Sequence, residues 1–303
     1  MNWTRPQATV ARPRSLRPLL VTAASALLLT SCTMKQLVAD NMVGLLEEVE
    51  GSFLEEQNYA YGREAGASLL LMLDGVVASS PGNGGLLALA ARMNAQYALG
   101  FLEEEDPEWA ASLFEKALDY GLRALDDEEL EASLSGDPDG VAAILADYDE
   151  GDVSLLFWTG LSYGSWINAN KDSVRAVADL PNALAFMDRV IELEPGFYHG
   201  GAHLFRAKYF GSRSSEMGGD PERARTECEE AWRLSEERLL LAKVYEARFH
   251  AIPTQDLARF EELLFEVLEA PDDLLPGENM ATAIAKHEAE RLLFSAEEYF
   301  VDA

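Results

Sequence analysis

Cysteine, histidine and positive charge are what this sequence has least of. Two Cys and four His stand in 303 residues, and 24 basic side chains face 53 acidic ones. The formal charge of −29 repels a phosphate backbone or an anionic lipid face, so nucleic acid is excluded as a partner. Of the two thiols, Cys32 closes an apolar leader and Cys228 is left without a mate for an internal disulfide. The fold must therefore stand on packing. Also missing is any G-x-S-x-G, any Gly-rich loop ending in Gly-Lys-Ser/Thr, any H-E-x-x-H and any paired Cys motif. The acids are dispersed, and with no positional constraint no two of them single themselves out as an acid/base pair. Neither an enzyme nor a cofactor is indicated. Beyond the leader nothing alternates with period two over a useful length, which excludes a sheet as the organising element.

What the sequence does have begins with that leader. Arg5, Arg12, Arg14 and Arg17 form a basic start free of acids, followed by "LLVTAASALLLT" (19–30). A bilayer span needs about 20 apolar residues, so this run suits a secretory core instead. It ends in "LTSC" (29–32), small residues before a Cys, the lipobox of bacterial lipoproteins. The expected organisation is a signal peptide over 1–31, a lipidated tether over 32–36 and a helical domain over 37–303. In such leaders the Cys32 thiol takes a diacylglycerol and the new N-terminus is acylated, a palmitate-type anchor, because sulfur is the nucleophile for that transfer. An ordinary signal peptide with an incidental Cys, or a short membrane anchor, are the other readings of the segment. The expected location is the periplasm, anchored to the outer (or inner) membrane by lipid alone. Thr33 rather than Asp after Cys32 favours the outer membrane under enteric-type sorting.

The remainder has helical spacing throughout. Leu86, Ala90, Met93, Tyr97 and Phe101 recur at steps of three and four, as do Leu113, Ala117, Gly121 and Leu125, and Leu257, Phe260, Leu264 and Val267. Ten or eleven helices are predicted. Asp106-Pro107-Glu108 and Asp220-Pro221-Glu222 look like one helix-start device used twice, with Asp as cap and Pro at the first helical position. A small-x3-large-x2-small pattern recurs at Ala110/Phe114/Ala117, Ala183/Met187/Val190 and Ala224/Cys228/Ala231, and in bulkier form at Leu69/Leu73/Val76. Pro195 and Pro81 follow two of these matches. Such recurrence predicts an all-α fold, a degenerate tetratricopeptide (TPR)-like array, or α-solenoid, of antiparallel helix pairs. Cys228 falls on a core position and is predicted buried and inert. Residues 136–152 read as an insertion between pairs, and 168–181 and the stretch "YFGSRSSEM" (209–217) as lengthened, extended connections.

Four stretches make the chain resemble a known family: "MNAQYALGFLEEEDPEWAASLFEKALDYGLRAL" (93–125), "WTGLSYGSWINANKDSVRAVADLP" (158–181), "YHGGAHLFRAKYFGSRSSEMGGDPERARTECEEAWRLS" (198–235) and "LLLAKVYEARF" (239–249). Together, in order and behind a lipobox, they are similar to the T component of tetratricopeptide-associated TRAP transporters, the TatT family. The resemblance implies a periplasmic lipoprotein of helical repeats. It would be an accessory to uptake that works with a substrate-binding P component and a membrane permease. Self-association is left open. The alternatives are a stand-alone periplasmic binding lipoprotein for an organic anion or hydrophobic ligand, and an envelope assembly scaffold.

The candidate ligand residues lie mostly in "FWTGLSYGSWINANK" (157–171). Trp158, Tyr163 and Trp166 surround a helix whose Gly160 and Gly164 allow close helix contact, and Asn168, Asn170 and Lys171 end it. Aromatics, amides and one cation would line a pocket for an organic anion, the usual cargo that the resemblance implies. The other reading is a central buried helix with a polar C-terminus. Tyr198, Tyr209 and Arg213 are placed on the same cavity. His199 and His203 have metal-ligand spacing, but Gly200-Gly201 between them weakens the helix, so a polar cavity wall or a packing role is the expectation.

Overall fold

The computed structural model describes residues 36–300; the leader 1–31 and Cys32 lie outside them. Among the described residues every regular element is helical. After a helical turn at 36–40 come α1 (Val43–Leu54), α2 (Tyr59–Ser79), α3 (Gly84–Tyr97), α4 (Pro107–Leu125) and α5 (Glu128–Ser133). Next are α6 (Pro138–Leu145), α7 (Val153–Ala169), α8 (Val174–Ala178), α9 (Leu180–Leu193) and α10 (Gly201–Gly211). The chain ends in α11 (Pro221–Leu234), α12 (Leu241–Glu246), α13 (Leu257–Glu269), α14 (Asn279–Phe294) and α15 (Ala296–Tyr299). None of the described helices is long and apolar enough to cross a membrane. The count exceeds the ten or eleven expected because α5, α6, α8 and α15 are short, and two of them occupy the supposed connections 136–152 and 168–181.

Helix starts are set by side chains written into the sequence. Asn58, Asn83, Asp106, Asp220 and Asp256 each accept a hydrogen bond from the backbone N–H three residues on. That satisfies one of the orphan donors of the first turn. Pro107 and Pro221 follow two of these caps at the first helical position, as the repeated Asp-Pro-Glu predicts. Two helices end in π turns: α3 runs into 98–102, closed by Glu103 N to Ala98 O at 2.9 Å, and α12 runs into 247–251. The extra residue in such a turn rotates the side chains that follow it.

Helix α7 is the centre of the molecule. From Leu156 to Ser165 every residue is buried, which requires neighbours on all sides. It packs on α4, α9, α3 and α10. Glycine makes those contacts close: a Cβ on Gly121 of α4 would overlap Thr159, one on Gly160 would overlap Phe186 of α9, and one on Gly164 would overlap the Phe205 ring of α10. The patterns Ala110/Phe114/Ala117, Ala183/Met187/Val190 and Ala224/Cys228/Ala231 are each no more than 1% exposed. The bulkier match is out of register, because the buried stripe of α2 runs Gly62, Gly66, Leu70, Leu73, Val77. Leu69 and Val76 only flank it.

Helices from the two ends of the described region meet. Helix α14 packs against α12 and α13 on one side and against α1, α2 and the 98–102 turn on the other. Met280 fills the space over Gly62, and Ile284 that over Gly100. His287 stacks on Tyr59 with centroids 3.8 Å apart, and Asn279 Nδ2 donates to Glu55 O at 3.1 Å. Three consecutive acids between α3 and α4 reinforce the seam. Glu103 pairs with Lys208 of α10, and Glu104 with Arg248 beside α12 and with Arg291 of α14. Glu105 pairs with Arg63 of α2 and with His287 of α14. A solenoid that runs from one free end to another would hold its first and last helices apart; here they are in contact.

Candidate functional site

Closing the helices on themselves leaves space inside. A cavity of about 370 Å³ lies between the C-terminal half of α7, α8, α10, α12 and the start of α14. That is the scale of a small-molecule site. Leu99 from the first π turn, Phe157 and Leu161 of α7, Leu204 and Phe205 of α10, and Leu239 and Leu241 supply an apolar wall. A smaller chamber of about 100 Å³ adjoins it, between α1, the 98–102 turn, α12 and α14. The two share Leu99, Tyr198, Leu241, Tyr245, Glu278 and Ala281 as a common neck.

The neck is built on irregular backbone. Tyr198 and His199 both adopt left-handed dihedrals, φ 46° and 58°, between α9 and α10. Each such non-glycine residue costs about 1–3 kcal/mol and persists only where its surroundings hold it. Here the Tyr198 ring stands edge-on to Trp158 with centroids 4.8 Å apart and tilts against Phe157. Its hydroxyl lies 3.4 Å from Gln96 Nε2 of α3. Burial pushes the phenols of Tyr198 and Tyr245 well above their ordinary range, so both stay neutral. Burial, with Arg238 nearby, lowers His199, which is a neutral imidazole on the cavity wall. Glu278, just before α14, is the one acid on the neck. Burial first and the charge of Glu50 second raise its carboxyl to about 7, against the opposing pull of Arg92.

The residues singled out in the sequence separate into two groups. Asn168, Lys171, Tyr198, Tyr209 and Arg213 line the larger cavity, and Trp158 and Tyr198 line the smaller. Lys171 is exposed at the end of α7. Arg213 lies flat over the Tyr209 ring, 3.4 Å from its centroid, and donates to Tyr209 O at 2.9 Å, so part of its capacity is already used. Tyr163, Trp166, Asn170 and His203 lie elsewhere. Tyr163 is buried in the core and donates to Leu134 O at 2.8 Å. Trp166 packs between two core clusters on the other side of α7, and Asn170 Nδ2 donates back to Trp166 O. The cause is the full burial of α7, which lets its aromatics point every way while only one face meets the cavity. His203 Nδ1 sits 2.7 Å from Glu227 Oε2, and Arg206 joins Glu227 to Asp188, linking α9, α10 and α11. This packing network faces away from the cavity lining.

The stretch 209–217 runs from the end of α10 into a compact loop before α11. Gly219 N donates to Ser214 O and Asp220 N to Phe210 O, both at 2.9 Å, and Gly218 takes φ 81°. The loop is folded shut, and a Cβ on Gly219 would collide with Arg213 O. Its Ser212, Arg213, Ser214 and Met217 form one lip of the cavity. Cys228 is 1% exposed on α11, and burial raises its thiol well above the usual range.

Sequence reasoning missed Glu278, Gln96, Leu99 and Tyr245. Glu278 lies in "PGENM" (276–280), one acid among dozens in an unremarked connection. Leu99 and Tyr245 reach the neck through helices that end in π turns, which no spacing announces.

Comparison with known proteins places the chain. A sequence profile describing TRAP transporter T-components matches residues 56–300. A protein of Treponema pallidum (strain Nichols), described as uncharacterized, is 21% identical over 325 residues. That alignment covers 95% of this chain and 99% of the relative. The profile takes in the helices that line the larger cavity and the neck, and the family it describes is one of transporter accessory components rather than enzymes. The chain belongs to the family of TRAP transporter T-components.

Proposed function

We propose that this T component is a lipid-anchored periplasmic accessory that binds the substrate-binding P component of its TRAP system and shelters ligand in transit within its internal cavity. The observation that carries the reading is the apolar cavity of about 370 Å³, with Asn168, Lys171 and Arg213 among its lining residues. A pocket lined mainly by apolar groups with a few placed polar ones suits a small ligand. The helix pairs are read as degenerate TPR-like units, supported by the buried small-large-small triplets on α4, α9 and α11. Lipid on Cys32 is the proposed anchor, and tethering raises the local concentration of the P component at the membrane without any new contact.

The test is capture of a TRAP substrate-binding P component from the same organism by the immobilised protein, with Lys171→Ala and Trp166→Ala compared. Capture weakened by Lys171→Ala supports docking or transfer at the cavity lip. Trp166 lies away from the lining, and its variant serves as the packing control. No capture by the wild type refutes partnership with the P component. Native mass spectrometry addresses the second reading, a stand-alone binder, which the same apolar cavity favours. A small molecule retained through purification without any P component would establish it. Mass spectrometry of the membrane-extracted protein with and without Cys32→Ala tests the anchor.

A further inference from the structure

The neck between the two chambers is apolar on most of its circumference and polar at one place. There Gln96 of α3, Tyr198 and Glu278 come together from three distant parts of the chain. Behind them Glu50 of α1, only 5% exposed, takes the Arg92 guanidinium of α3 in a two-pronged pair, with Nε donating to Oε1 at 2.7 Å and Nη2 to Oε2. A fork of this kind satisfies both carboxylate oxygens and uses the bonding edge of the guanidinium. Glu278 is thereby left over. Its carboxyl makes no hydrogen bond to another described residue and does not cap its own helix, although it stands at the cap position of α14. It faces the cavity. Counting charges at this spot gives two carboxylates against one guanidinium, in surroundings that penalise an unpaired charge.

We propose that Glu278 is a ligand-reading residue, and that it receives the ammonium group of an apolar amine whose hydrocarbon body lies in the larger chamber. This deepens the cavity reading above and rests on it. In the empty protein the deficit of one positive charge is met by a proton on Glu278, consistent with its carboxyl being held up to about 7 by burial and Glu50 against Arg92. A ligand ammonium supplies the same charge and displaces that proton into solvent. Tyr198 and Gln96 stand ready as further polar contacts for the same group. An alcohol offers a hydrogen bond but no charge and leaves the proton in place. A carboxylate would bring a third negative group to the neck. The groups that set the balance are Glu50, Arg92 and Tyr198, on three different elements, and of these only Arg92 is positive.

Calorimetric titration of the purified full chain with octylamine, octanol and octanoate tests this. Octylamine is expected to bind at least about tenfold more tightly than octanol near pH 8, and octanoate more weakly than either. Below about pH 7 the amine must displace a proton, so its affinity falls by up to about tenfold per pH unit while that of octanol stays level. Near pH 5.5, titrations in buffers of different ionisation heat should report the release of about one proton per amine bound. In Glu278→Gln the amine preference and the proton release disappear, and continued uptake of octanol shows that the cavity is intact. Octanol binding with no amine preference in the wild type, or an amine preference that survives Glu278→Gln, overturns the proposal and leaves the cavity reading standing. If none of the three probes binds the wild type, the cavity reading falls and this subsite falls with it. Failure to capture a P component bears on neither.

Discussion

Replacing Glu278 by Gln should make the protein more stable, and only above a definite pH. The carboxyl is raised from 4.5 to about 7 on folding, because it sits in the wall of the cavity near Glu50. For an acid shifted upward, the folded state holds more protons than the unfolded state between the two values. Stability therefore falls as pH rises through that window and levels off above about 7. Each pH unit of the window is worth about 1.4 kcal/mol. The full interval comes to about 3 kcal/mol, and water reaching the cavity screens part of it, so the measured change lies at or below that figure. Gln has nearly the same shape and no proton to lose. Urea denaturation of both proteins across the window isolates the effect, since the many other carboxylates contribute equally to each and cancel in the difference. Near pH 4.5 the two should coincide, and by about pH 7.5 the variant should lead by up to about 3 kcal/mol. A difference that stays constant with pH, or a variant that is less stable above pH 7, would refute the account of a strained, unpaired carboxyl.

Other parts of the fold predict their own outcomes. Gly164→Ala gains about 1 kcal/mol of helix propensity but drives a Cβ into the Phe205 ring, an overpacking worth about 1–3 kcal/mol, so thermal unfolding should show a net loss. Asp220→Ala removes the cap of α11, whose side chain accepts from Arg223 N at 3.1 Å, and should cost about 1 kcal/mol in the denaturant midpoint. The Cys228 thiol should resist a maleimide reagent in the native protein and react only as fast as the chain unfolds; prompt stoichiometric labelling would contradict its burial.

Much of the helical scaffold could be read in advance because its causes are local. Asp106 and Asp220 cap the helices that their neighbouring Pro and Glu announce, and the small-large-small triplets of α4, α9 and α11 face inward. On α7 the same kind of reading was only half sufficient. An uninterrupted run of buried residues has no outer face, so spacing alone gives no way to choose Trp158, which reaches the smaller chamber, over Tyr163 and Trp166, which do not. The seam was invisible for a different reason. Glu104 and Arg248 are 144 residues apart, and Asn279 and Glu55 are 224 apart, and each looks like an ordinary surface polar group. Glu278 combines both problems, since it is a common residue in a connection and its meaning depends on a distant ion pair.

The contact between α14 and the first helices changes what length means for this molecule. A stack with free ends can lose or gain a unit and remain a shorter or longer stack. A hoop has a fixed circumference: an added helix pair would prise Met280 from Gly62 and Glu104 from Arg248, and a chain stopped before Asn279 would leave the flank of α2 and the 98–102 turn bare. Added length fits without breaking the seam only in the connections, where α6 and α8 already sit. The same geometry orders events at birth. A chain that emerges N-terminus first presents Phe101 and Tyr59 long before His287 and Met280 arrive to cover them. The first helices must wait, unsealed, for the last, so their own resistance to proteases should come late, with the arrival of α14.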